Sequence, residues 1–240
     1  MDFIRVPGKN GLGRTDGVEF DFENFSFDFE LKLDLGDVAS QLKKIYSFAK
    51  KIKKKSFFFG GDHSISYPLI KGIWKNNSDL KVIILDAHPD LMEPIIEPTH
   101  EEWLRALVEQ GFLCENILII GVRKNSKNVD ERELNFAKEN NIKIIYSDEI
   151  ESKKCVVNNF ISSGKIYLSI DIDVLDKSVF SSTSYPERFG LNEVGFFNLI
   201  NLIVSSKNFF YGDLVEVNLK KISSKENKII RKILKRVDIG

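Results

Sequence analysis

The sequence predicts an α/β fold, a mainly parallel sheet covered by helices on both faces, in one domain of residues 1–240. Two observations predict it: short apolar runs rich in Ile, Val, Phe or Tyr recur along the chain, and segments with helical spacing separate them. Strands are expected at residues 56–59, 81–85, 116–122, 142–146, 165–170 and 209–217. The clearest helix carries Val38, Leu42, Ile45, Ala49 and Ile52, which step by four and three residues and share one face. It follows Gly36-Asp37 and ends in the lysine cluster of residues 50–55, where cations favour a helix C-terminus. Further helices are expected at 101–109, 130–139, 149–160, 193–204 and 226–237; Ile229, Ile230, Ile233 and Leu234 of the last suit packing within the chain or between subunits. Near the N-terminus, alternating Phe22, Phe25, Phe27 and Phe29 suggest a strand with a buried aromatic face.

Composition excludes several function classes. With 42% hydrophobic and 29% charged residues, the chain can bury a sizeable core and carries no signature of disorder. Thirty-five Lys and Arg balance thirty-five Asp and Glu, so no global charge draws it to nucleic acid or to a membrane. A small-molecule partner is expected. Two cysteines, Cys114 and Cys155, make no disulfide framework or metal-ligand spacing, which fits a reducing cytoplasm. The start, MDFIRVPGKN, has no apolar run that a signal peptide would need, and no apolar stretch approaches the ~20 residues of a spanning helix.

Chemistry gathers at three expected strand ends. Asp86, His88 and Asp90 alternate after residues 81–85, and Asp171 and Asp173 alternate after 165–170, so each set can converge on one side of extended backbone. After the strand at 56–59, Gly60-Gly61 permits a tight turn that brings His63 to the same edge. An Asp-x-Asp pair alone commonly caps a helix. Four carboxylates converging at apolar strand ends, however, repel one another and call for a cation. A carboxylate-rich set with a minority of imidazole suits Mn²⁺ better than a thiolate zinc site, and the ligand count favours two ions over one.

Gly60-Gly61-Asp62-His63-Ser64, Asp86-Ala87-His88-Pro89-Asp90 and Ser169-Ile170-Asp171-Ile172-Asp173-Val174-Leu175-Asp176 resemble, in order, the three metal-binding signatures of the ureohydrolases, the arginase and agmatinase family. The resemblance runs from about residue 56 to Val217 and includes the segment 212–218. It implies a three-layer α/β/α domain with two Mn²⁺ per subunit. By that resemblance His63, Asp86, Asp90 and Asp171 hold one ion, and His88 and Asp173 complete the second. Asp90 and Asp171 are bridging candidates, Asp86 is either a bridge or a ligand of the second ion, and the partition stays open. The resemblance further implies a metal-bridging hydroxide as nucleophile, His100 as proton shuttle to the leaving amine, and Glu187 holding the substrate guanidinium. All three histidines of the chain fall on functional positions of the family. A homo-oligomer, trimer or hexamer, is also implied.

The departures concern the substrate loop. Lys177 replaces the usual proline, the glycine-rich run becomes Ser181-Ser182-Thr183-Ser184-Tyr185, and Arg188-Phe189 replace a glycine pair. Arg188 beside a guanidinium is unfavourable unless it points away or pairs with an acid. Residues 91–99 contain no Asn or Ser to hold an α-carboxylate, and Glu93 and Glu97 favour an amine instead. Hydrolysis of agmatine to putrescine and urea is the leading expectation. Arginase, formimidoylglutamase with Arg188 meeting the substrate carboxylates, and an inactive metal-binding homologue are the alternatives.

Overall fold

The structure, a computed structural model, describes residues 1–10 and 26–239. Its strands are β1 (Asp2–Val6), β2 (Phe29–Glu30), β3 (Ser56–Gly60), β4 (Leu80–Leu85), β5 (Ile117–Val122), β6 (Lys143–Tyr146), β7 (Lys165–Asp171) and β8 (Phe209–Val215). They form one sheet in the order β2-β1-β3-β8-β7-β4-β5-β6, and every pairing is parallel. The helices are α1 (Val38–Ala49), α2 (Ser66–Trp74), α3 (Trp103–Glu109), α4 (Glu131–Glu139), α5 (Lys154–Ile161), α6 (Glu193–Val204) and α7 (Ser224–Ile239).

Side-chain alternation along the strands divides the core into two layers. Phe57 and Phe59 of β3, with Ile83 and Leu85 of β4, pack beneath α5, α6 and α7. Phe58, Val82 and Ile84 face the other way, against α1, α2 and α3. The result is the expected three-layer α/β/α sandwich. Ile229, Ile230, Ile233 and Leu234 of α7 are buried within this chain, which resolves their two readings in favour of intrachain packing.

Some boundaries differ from expectation for local reasons. Helix α1 stops at Ala49, so of the lysines at 50–55 only Lys50 caps it, its ammonium lying over the Tyr46 ring. Helix α5 starts at Lys154 because residues 149–153 form turns, with Lys153 N–H donating to the Glu149 and Ile150 carbonyls. Of the alternating phenylalanines, Phe22 and Phe25 lie outside the described residues. Phe27 packs on Phe59, whereas Phe29 stacks on Phe48 and is 48% exposed, so the two do not share one buried face.

Strands β3 and β4 are consecutive among the central strands but separated in the sheet by β8 and β7. The chain therefore winds away from this region in both directions, which leaves a crevice beyond the carboxyl ends of β3, β8, β7 and β4.

Candidate metal centre

Each strand end delivers its side chains by a local device. After β3, a Cβ on Gly61 would lie 1.8 Å from the Gly8 carbonyl oxygen, so only glycine fits where this turn crosses the segment following β1. Asp62 then caps a short 3₁₀ turn, accepting from Ser64 N–H at 3.1 Å and from Asn10 N–H at 2.6 Å, and His63 opens that turn. After β4, Asp86 accepts from His88 N–H at 2.7 Å, and Asp90 adopts φ 54°, a left-handed conformation that aspartate tolerates. At the end of β7, Asp171 accepts from Asp173 N–H at 2.9 Å, and Asp173 accepts from Ala87 N–H at 3.1 Å, tying the two acidic segments together.

The predicted ligands meet in two groups. His63 Nδ1 lies 3.0 Å from Asp86 Oδ2, 2.9 Å from Asp90 Oδ2 and 3.4 Å from Asp171 Oδ2. His88 Nδ1 lies 3.1 Å from Asp173 Oδ2 and 3.5 Å from Asp86 Oδ1. His63, Asp86 and Asp90 thus offer converging donor atoms, as do Asp86, His88 and Asp173. Asp86 belongs to both, one oxygen facing each histidine. Asp90 belongs to the His63 group, where Trp103 Nε1–H also donates to its Oδ2 at 2.6 Å.

The donor set suits cations. His63 Nδ1 and Asp86 Oδ2 are buried without a hydrogen bond despite their 3.0 Å approach. Behind the ring, His63 Nε2 meets Ser169 Oγ at 2.9 Å, while Ser169 Oγ–H donates to Asp213 at 2.7 Å. Ser66 Oγ–H and Tyr167 O–H donate to the same carboxylate, each at 2.7 Å. Because Ser169 gives its proton to Asp213, His63 Nε2 is the donor to Ser169, which turns Nδ1 toward the carboxylates. Burial lowers the His63 pKa, but Asp171, Asp86 and Asp90 outweigh it and raise the ring well above its usual range. Burial and the Asp86 charge together push Asp90 up to about 7. The cluster therefore retains protons where no other cation balances it, and metal ions would take the place of those protons.

A cavity of about 520 Å³ opens beside the cluster, with His88, Asp90, His100 and Tyr185 in its wall. His100 is buried with neither ring nitrogen hydrogen-bonded, its Nε2 lying 3.7 Å from Glu101 Oε1. Glu187 is half-buried; its Oε1 accepts from Ser126 Oγ–H at 2.8 Å and Asn128 Nδ2–H at 2.6 Å and lies 3.7 Å from His88 Nε2. The His88 contact, foremost, holds the Glu187 pKa down at about 2. Arg188 is exposed and is not among the residues that line the cavity. Glu93 and Glu97 are exposed too and do not line it; the acids that do are Asp90, Glu101, Asp130, Glu131 and Glu133.

The sequence reading gives three contributors no role, although two of them, Asp213 and Glu216, lie in the segment 212–218 that it singles out. Glu216 follows β8 at φ 59°, buried, with Oε1 accepting from His63 N–H at 2.9 Å and Oε2 unpartnered; burial and Asp62 raise its pKa to about 8. Arg123, buried after β5, donates to the carbonyls of Asp173 and Val174, both at 2.8 Å, and so fixes the turn behind a ligand. Asp213 lies inside β8, visible only once β7 pairs Ser169 beside it.

Fold and site define a class: an α/β sandwich whose carboxylate and imidazole side chains form paired metal-type groups at the sheet's carboxyl edge. The arginase-family sequence profile matches residues 12–234, and the chain belongs to that family of hydrolases. An agmatinase of Bacillus subtilis is 29% identical over 225 residues, covering 88% of this chain and 74% of its own length. An arginase of Staphylococcus aureus is 31% identical over 204 residues, covering 76% of this chain and 66% of its own. Several further curated relatives are matched over 57% to 65% of their length. The crystal structure of formimidoylglutamase from Bacillus subtilis superposes with a TM-score of 0.85 at 19% identity, covering 98% of this chain and 85% of that one, a likeness of fold. Among the described residues, no helix is long and apolar enough to cross a membrane.

Proposed function

We propose that the chain hydrolyses a guanidino C–N bond to release urea, with agmatine, giving putrescine, as the leading substrate. The observation that carries this reading is the pair of ligand groups joined by Asp86, beside a cavity whose wall includes Glu101, Asp130, Glu131 and Glu133. In the proposed centre, His63, Asp86, Asp90 and Asp171 would hold one Mn²⁺, and His88 and Asp173, with Asp86 beside them, would hold the second. When bound, two such ions make water a competent nucleophile at neutral pH and draw charge from the reacting carbon.

The chain's own residues account for the rest. Glu101, Glu131 and Glu133 in the cavity wall favour a cationic substrate over one with a free carboxylate. Lys127 is the basic residue among those that line it, and Arg188 is not placed to meet a carboxylate there, which weighs against formimidoylglutamate. Glu93 and Glu97, expected to favour an amine, are exposed and do not line the cavity; Glu101 and Glu131 are assigned that role instead. Water adds to the guanidinium carbon, the C–N bond to the alkyl chain breaks, and His100 delivers a proton to the departing amine nitrogen. Glu187 is assigned to the guanidinium, and Glu216 offers a second carboxylate at the same sheet edge. Replacing each by Gln separates them: the one that holds the guanidinium raises KM. A homo-oligomer in the cytoplasm, with Cys114 and Cys155 both reduced, completes the proposal.

The test is product release by Mn²⁺-loaded protein from agmatine, arginine, guanidinobutyrate and formimidoylglutamate. Urea from agmatine in clear preference supports the reading. Urea mainly from arginine, or formamide alone, replaces it with one of the family alternatives.

A further inference from the structure

The proposed proton donor, His100, has no hydrogen bond to fix the plane of its ring. What it does have is Tyr185. The two ring centroids are 5.8 Å apart with planes 26° from parallel, and the same tyrosine meets His88 edge-on at 6.3 Å and 77°. Tyr185 therefore spans the gap between His100 and the metal-type cluster, in the wall of the cavity.

The tyrosine is itself held from both sides. Before it, Ser181 and Ser182 donate their N–H groups to Glu226 Oε1 at 2.6 and 3.1 Å, and Ser182 accepts from Asn218 N–H at 2.8 Å. After it, Glu187 is held by Ser126 and Asn128, and its carbonyl accepts from Lys177 N–H at 2.8 Å. The segment that differs most from the family's glycine-rich run is thus a tethered arm carrying an aromatic ring.

We infer that Tyr185 is a positioning residue: stacked on His100 and set edge-on to His88, its ring holds the His100 imidazole in the orientation from which it reaches the leaving group. The inference rests on the role proposed for His100. A ring without a hydrogen bond, with Glu101 Oε1 no nearer than 3.7 Å, has several orientations open to it, and a stacked aromatic neighbour selects one of them, by a factor of about three to ten. The effect that reports on positioning is in turnover, because the stack orients a proton donor; Tyr185 also lines the cavity, so kcat rather than KM is the readout.

The experiment compares Tyr185→Phe, Tyr185→Leu and Tyr185→Ala as Mn²⁺-loaded proteins. Phe keeps the ring and is expected to retain kcat within about twofold. Leu keeps volume without the ring, and both Leu and Ala are expected to lower kcat about three- to tenfold at unchanged metal content. Undiminished kcat in Tyr185→Leu, or a rise in KM alone, overturns the inference. Crystal structures of the variants supply a readout independent of turnover: His100 keeps its orientation in the Phe variant and loses it in the Ala variant. An unmoved His100 in Tyr185→Ala also overturns the inference. Failure of the wild type on every guanidine would remove the proposed activity, while the crystallographic comparison would still decide whether Tyr185 positions His100.

Discussion

Replacing Glu226 by Ala is expected to destabilise the fold by about 3–4 kcal/mol, because this carboxylate joins α7 to the arm that carries Tyr185. Its Oε1 accepts from Ser181 N–H at 2.6 Å and Ser182 N–H at 3.1 Å, and its Oε2 from Ser223 N–H at 2.8 Å. The hydroxyls of Ser181 and Ser223 donate to it as well, and the one Ser182 Oγ–H has Glu226 Oε2 and the Lys221 carbonyl as alternative acceptors. Hydroxyls can turn elsewhere. The three backbone N–H groups cannot turn, and each donor left unpaired costs about 1–3 kcal/mol, less than additively. Urea unfolding is the assay; for a chain of this size the loss corresponds to a fall in Tm of about 6–16 °C. Glu226→Gln, which keeps one acceptor oxygen but turns an N–H₂ toward donors, is expected to lose about half as much. The pH dependence has a fixed sign. Burial alone would raise the Glu226 pKa, yet the bonds from Ser223, Ser181 and Ser182 hold it at about 2, below its usual 4.5. Its contribution is therefore complete above pH 4.5 and disappears as pH falls through about 2, so the gap between wild type and Glu226→Gln narrows over that window. An alanine variant within 1 kcal/mol of wild type would refute the reasoning.

His100→Ala is expected to lower turnover about 100-fold or more with metal content intact, measured by urea release and elemental analysis together; an unchanged rate removes His100 from the chemistry. Asp213→Asn weakens the backing of His63 through Ser169 and is expected to cost tenfold to a hundredfold in metal affinity, read by metal titration. Gly61→Ala places a methyl group 1.8 Å from the Gly8 carbonyl oxygen, so β1 and the His63 turn must separate; a lower unfolding midpoint and weaker metal binding are expected together.

What the sequence made legible were features with a periodic or clustered signature. Six of the eight strands read as apolar runs, and the ligand motifs stood at the ends of three of them. Helix α2 escaped because Ser66–Trp74 is buried around most of its circumference, with Pro68 and Gly72 inside it, so no amphipathic stripe marks it. Strand β1 escaped because Asp2 and Arg5 interrupt its five residues. At the site, His63, Asp86, His88, Asp90, Asp171 and Asp173 were legible from the Gly60-Gly61 turn and the alternate spacing at strand ends, although the backbone that joins them is not extended: His63 and Asp173 lie in 3₁₀ turns and Asp90 is left-handed. Glu216, Arg123 and Asp213 were not, since each acts through a partner distant in sequence: the His63 amide, the Asp173 carbonyl and the Ser169 hydroxyl. Glu93 and Glu97 show the converse error, acids near the motif in sequence that the fold turns to solvent while Glu101 and Glu131 line the cavity.

The central claim is that the two ligand groups that have Asp86 in common would each hold a metal ion. Metal stoichiometry of purified wild type, Asp173→Ala and Asp86→Ala tests it most directly, by elemental analysis after Mn²⁺ loading and removal of free ion. Two ions, one ion and none are the predicted counts, because Asp173 serves the His88 group alone and Asp86 serves both. Two ions retained in Asp173→Ala, or a wild type that holds one, would contradict the account.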